Sequence, residues 1–220
     1  MRHLLIIGIT LLYLTSCKKE EFGNEDIIYT ISFVGNWNNI NHPLNYPSDD
    51  HFSPITGMIH NDKVSLFKKG SIASSGIEIM SESGNTTILI SEIAQNGNNV
   101  FKTIKMSGAN TGIDTVKYQF DVNDSHTYIS LVSMIAPSPD WFVALNNYNL
   151  KPNGEWIQKV TIPMLAYDAG TEEGIEYSYS NDDEIPKLPI TLLDVPTIKN
   201  ENSIKPLAYI ILEKYIVYNN

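Results

Sequence analysis

In SLVSMIAPSPDWFVAL (residues 130–145), two apolar, partly β-branched runs are separated by Pro137, Ser138, Pro139 and Asp140. The runs on either side read as β-strands. Neither proline can donate to a sheet ladder, and each pushes the residue before it into extended backbone. One strand therefore ends at Ala136 and the next begins at Trp141, with Asp140 held in a stiff turn between them. A carboxylate with so little freedom loses little entropy when it takes up an ion. Capping the turn is the other role such an aspartate fills.

Strand signals extend outward in both directions. IIYTISFVG (27–35), KVSLFKK (around 64–67), VFKTIKM (100–106), TVKYQFDV (115–122) and TYISLVSMIA (127–136) precede the turn. WFVALNNY, EWIQKVTIPMLAY and LAYIILEKYIVY follow it, with SGANTG, NDS, KPNGE and DAGTEEG as turns between strands. SSGIEIMSESG places Ile77 and Met80 on one helical face with Gly84 as its stop, and TTILISEIAQNG follows Asn85, a capping residue. The Ile and Thr content of the latter leaves a strand reading open. Residues 42–61 show no periodicity and read as one long ordered loop. Many short strands with one or two helical insertions make an all-β fold, an antiparallel β-sandwich, in a single domain over residues 27–220.

Residues 1–16 read as a signal peptide: a basic start at Arg2, an apolar run over residues 4–14 too short to span a bilayer, which needs ~20 residues, and small residues before Cys17. Cys17 is the one cysteine and stands where a bacterial lipobox has its lipidated residue. Residues 17–26 then form a charged tether. The expectation is an outer-membrane lipoprotein, periplasmic or surface-exposed, joined to the membrane through Cys17. The net charge of −10 becomes about −11 once Arg2 is removed with the signal. So acidic a chain excludes nucleic acid as a partner and suits hard cations.

YDAGTEEG (167–174) places Asp168 and Glu172 around Ala-Gly-Thr, with Gly170 free to bend sharply. Such a loop supplies both carboxylate and carbonyl oxygens, which calcium prefers, and reads equally as a solvated acidic hairpin. If the strands after Asp140 and before Asp168 are hairpin neighbours, both acidic turns share one end of the sandwich. Asp140, Asp168 and Glu172 would then repel one another unless a divalent cation lay between them. His42, His51 and His60 match no compact zinc spacing, and His126 sits in a turn. No Gly-x-Ser-x-Gly, HExxH or phosphate-loop motif appears. Trp141, Phe142 and Trp156 are candidates for a partner surface, with core packing as the alternative.

With these segments in place, the chain resembles the spondin N-terminal domain family, the domain type of F-spondin and mindin. The matching runs are HPLNYPSDDHFSPITGMIHN, SLFKKGSIASSGIE, SLVSMIAPSPDWFVAL and YDAGTEEG, with a weaker IKPLAYIILEKY. The resemblance implies a sandwich related to C2 domains with a calcium ion at one end. It assigns the calcium ligands to Asp140, Asp168 and Glu172; at the last position the family usually has aspartate. The expected function is a non-enzymatic calcium-binding adhesion or recognition module that meets a protein or glycan at the cell surface. A carbohydrate-active hydrolase using paired acids, or an envelope protein that calcium merely stabilises, are the alternatives.

Overall fold

The computed structural model describes residues 25–200 and 203–218. The expected signal peptide, Cys17 and the tether up to residue 24 lie outside the described residues. In chain order the elements are β1 (Glu25–Gly35), β2 (His51–Phe52), β3 (Thr56–His60), α1 (Ser75–Ser83), α2 (Thr87–Gln95), β4 (Val100–Lys105), β5 (Thr115–Asp121) and β6 (Tyr128–Ala136). They continue with β7 (Trp141–Asn149), β8 (Lys159–Asp168), β9 (Thr191–Leu192), β10 (Lys199–Asn200), β11 (Ser203–Ile204) and β12 (Ala208–Tyr218).

The principal sheet is antiparallel, in the order β4-β3-β6-β7-β8-β12-β1-β5. It curls on itself because β8 serves two neighbours in turn. Residues from Lys159 to Met164 pair with β12, and those from Leu165 to Asp168 pair with β7. A strand that changes partner midway is a sheet corner. The two resulting layers face each other as a half-barrel, and an ion pair between Lys102 on β4 and Asp121 on β5 spans the open seam.

Alternation along β1 sends Tyr29, Ile31 and Phe33 between the layers, where they meet Ile210 and Leu212 of β12 and Ile129, Leu131 and Val143 of the opposite layer. The other face of β6 and β7 is covered as well. Met58, Val132, Met134, Phe142 and Ala144 pack under Ile77 and Met80 of α1 and Leu89 and Ile93 of α2. Burial on both faces explains why residues 129–145 are buried without a break. Each large apolar side chain so buried stabilises the fold by about 1.5–3 kcal/mol.

Local chemistry sets the helices. The Ser74 hydroxyl accepts from the Ile77 N–H, and Gly84 closes α1 at φ 69° with its N–H on the Met80 carbonyl. Asn85 accepts from the Thr87 N–H at 3.0 Å, although the cap position of α2 itself falls on Thr86. α2 is a helix, so the strand alternative is closed.

Several expectations change. Residues 64–67 form no strand; Leu66 and Phe67 are instead plugged into the helix-covered core from an irregular segment. The expected loop 42–61 contains β2 and β3, both paired with β6. β8 starts at Lys159 rather than at residue 155, and β1 starts two residues before the expected boundary. Trp141 and Phe142 are fully buried and present nothing to a partner: one faces each core. Trp156 is half-buried against the inter-layer core.

Candidate metal centre

The hairpin inferred around the two acidic turns is present. Trp141 of β7 lies opposite Asp168 of β8, so the Pro-Ser-Pro-Asp turn and the Asp-Ala-Gly-Thr loop are at one end of the molecule. The first turn is not an exposed apex. Pro137 to Asp140 are all buried, and the Ser138 hydroxyl accepts from the Trp141 N–H at 3.2 Å. Gly170 makes the second loop feasible: its φ is +73°, and a Cβ there would stand 2.3 Å from the Leu188 carbonyl oxygen.

Asp140 is 0 % exposed. Its Oδ2 accepts from the Thr171 N–H at 2.6 Å, the Thr171 hydroxyl at 3.1 Å and the Glu172 N–H at 3.2 Å. Its Oδ1 is buried without a partner. An acceptor stranded in this way costs about 1–3 kcal/mol or more when charged. The Asp168 Oδ1 accepts from the Gly170 N–H at 2.8 Å, and the Asn181 amide donates to the Glu172 Oε2 at 3.4 Å.

A fourth acid joins from α1. Glu82 is half-buried, and its charge acts on Glu172 while that of Asp140 acts on it. No local spacing announces it, because it stands 58 residues before Asp140 on a different element. None of the four is ion-paired among the described residues. Lys187, whose charge acts on Glu82, is engaged by Glu78 at 2.5 Å.

Crowded carboxylates without a counter-ion resist ionisation. Burial and then the Asp140 charge push Asp168 up to about 6. Burial and then the Glu82 charge push Glu172 up to about 7. Burial raises Asp140, opposed by its hydrogen bonds from Thr171 and Glu172, and burial raises Glu82 also. The Trp141 indole N–H favours the charged form of Asp168 but falls short of a full hydrogen bond.

The donor set fits calcium, which takes six to eight oxygens from carboxylates, carbonyls and water. Asp140, Asp168 and Glu172 carry carboxylate oxygens of that kind, and the Asp140 Oδ1 has no hydrogen-bond partner. As the side chains stand, no three Asp, Glu, His or Cys groups among the described residues are gathered closely enough to hold a metal. Glu172 accounts for part of this, since its carboxylate is drawn toward Asn181 and its backbone bridges to Asp183.

The four histidines among the described residues do not converge. His42 is buried with Nε2 on the Lys205 carbonyl at 3.2 Å, and His51 bonds the Asp49 carbonyl at 2.7 Å. His60 lies buried between the Asn61 carbonyl at 2.7 Å and the Ser130 hydroxyl at 2.8 Å. His126 bridges Asn123 and the Asn98 carbonyl. Each is a structural hydrogen-bonding group.

The chain is similar to Spondin-1 of Xenopus laevis, with 32% identity over 201 residues, covering 84% of this chain and 25% of that protein. It is 31% identical to Spondin-1 of Homo sapiens over 202 residues, again 84% and 25% of the two chains. Spondin-2 of Rattus norvegicus is 29% identical over 169 residues, 74% of this chain and 51% of that one. The chain thus spans about a quarter of the length of Spondin-1 and half that of Spondin-2. Among the described residues no helix is long and apolar enough to cross a membrane. The Spondin_N family profile matches residues 27–204, and the chain belongs to the spondin N-terminal domain family.

Proposed function

We propose that this chain is a non-enzymatic, calcium-binding recognition module, anchored to a bacterial envelope through lipid on Cys17. The observation that carries the calcium reading is Asp140: a fully buried carboxylate with one oxygen stranded, beside three unpaired acids. Burying such a group is costly unless an opposite charge accompanies it. A bound cation would neutralise the cluster and lock the Asp168–Glu172 loop against the β6–β7 turn.

The topology suits an anchored module. β1 begins at the end opposite the acidic rim, and its eleven residues run ~35 Å toward that rim at ~3.3 Å each. A lipid at Cys17 would therefore leave the rim outermost. The hydrolase alternative needs two carboxylates that both reach a substrate, and Asp140 is closed off from solvent.

Thermal unfolding of the full-length chain in calcium and in chelator tests the reading. Calcium raises Tm if it binds the folded state alone. Identical melting in the two conditions at millimolar calcium would remove the metal from the account.

A further inference from the structure

Asn-Gly occurs twice in the chain, at Asn96–Gly97 and at Asn153–Gly154. In this dipeptide the glycine nitrogen can attack the asparagine side chain with little hindrance, because glycine carries no Cβ. We propose that Asn153 is a site of self-modification, at which the folded chain converts its amide to aspartate and isoaspartate, whereas the fold protects the same dipeptide at Asn96.

The two sites differ in what restrains them. Asn96 is half-buried where α2 ends, and its side-chain amide donates to the Glu92 carbonyl at 3.0 Å and to the Ile93 carbonyl at 3.3 Å. Its own backbone carbonyl accepts from the Asn99 N–H at 3.1 Å and from the Asn99 side-chain amide at 3.2 Å. Side chain and peptide plane are both pinned, so the Gly97 nitrogen reaches the Asn96 side chain only after these bonds break. Asn153 and Gly154 are instead exposed, in the short turn that joins β7 to β8. Both have positive φ, 56° and 83°, and a Cβ on Gly154 would point into open space. Among the described residues the peptide between them is held by one long bond, from the Gly154 N–H to the Lys151 carbonyl at 3.3 Å. A long bond on an exposed turn opens readily.

The Gly154 nitrogen attacks the Asn153 side-chain carbonyl carbon. A C–N bond closes a five-membered succinimide, and the side-chain nitrogen leaves as ammonia with the proton that the glycine nitrogen gives up. Water then opens the ring, its hydroxyl going to either carbonyl carbon and its proton to the nitrogen. Opening on one side gives aspartate. Opening on the other gives isoaspartate, which adds a methylene to the main chain of the turn. Either product puts a new carboxylate two residues from Lys151, which pairs with Asp124 at 2.6 Å and lies 5.2 Å from the centre of the Trp156 ring.

The test is incubation of the full-length chain in mildly alkaline buffer, native and in denaturant, with amide-to-acid conversion followed at each asparagine by peptide mass mapping. In the native chain Asn153 should convert faster than every other asparagine among the described residues, and about tenfold or more faster than Asn96, whose bonds add to its barrier. In denaturant the two Asn-Gly sites should convert at similar rates, because only the fold separates them. Asn153→Gly keeps a residue that accepts positive φ, and should abolish most of the slow acidic shift seen on isoelectric focusing of the native chain. Equal native rates at the two sites, or folding that slows Asn153 as strongly as Asn96, overturns the proposal. So does an acidic shift that Asn153→Gly leaves undiminished.

Discussion

Replacing Asp140 by Asn should have opposite consequences with and without calcium. The amide oxygen can keep the three bonds that Oδ2 accepts from Thr171 and Glu172. Each weakens from the ~1.5–3 kcal/mol typical of a charged partner toward the ~0.5–1.5 kcal/mol of a neutral one. Against this, the substitution removes an uncompensated buried charge, whose effective penalty is several kcal/mol. It also relieves Asp168 and Glu172, both of which feel the Asp140 charge. In chelator the Asp140→Asn variant should therefore be as stable as the parent or more so. In calcium at about a hundred times its dissociation constant, the parent gains ~2.7 kcal/mol that the variant lacks. For a domain of this size that is a Tm deficit of about 5–11 °C. Thermal unfolding of both proteins, in both conditions, gives four numbers. The reasoning fails if the variant keeps the calcium gain. It also fails if the chelated variant is ~3 kcal/mol or more below the parent, because the charge would then be justified by its hydrogen bonds alone.

Calcium-free stability should fall as pH rises from about 4 to about 7. Asp168, raised from 3.8 to about 6, and Glu172, raised from 4.5 to about 7, ionise less readily when folded. The stability they contribute is complete below the unfolded values and is lost as pH climbs through the folded ones. The calcium-induced Tm shift should grow across the same window, and a shift independent of pH would contradict the assignment. Gly170→Ala should lower the free energy of unfolding at any calcium concentration, by ~1–3 kcal/mol for the positive φ with the Leu188 clash added, as read by denaturant unfolding. Cys17→Ser should move the chain from the membrane fraction to the soluble one on fractionation of expressing cells; unchanged partitioning would end the lipid-anchor proposal.

The β6–β7–β8 hairpins were legible because proline and turn residues punctuate them and the acidic turns follow from strand direction. What the sequence leaves open depends on contacts distant along the chain. β3 looked like loop because its partners lie far along the chain: Met58 sits opposite Ser130, and Gly57 passes so close that a Cβ would meet the Ser130 carbonyl oxygen at 1.9 Å. KVSLFKK mimics a strand, but Leu66 and Phe67 are adjacent and both buried, which an alternating strand with one wet face would not allow. Trp141 and Phe142 both take the core-packing alternative: Trp141 enters the core between the layers and Phe142 the core under α1 and α2. The two acidic turns lie at one end of the molecule, although no three acids among the described residues close on a common centre. Glu82 could not be found this way, since only the docking of α1 brings it there.

The central claim is met most directly by calorimetric titration of calcium into the full-length chain at about pH 6.5, repeated in two buffers of different ionisation enthalpy. The account predicts one site with net proton release, because Asp168 and Glu172 are partly protonated near that pH and must ionise to bind. Binding heat that is the same in both buffers after correction for dilution, or no saturable heat at millimolar calcium, would contradict it.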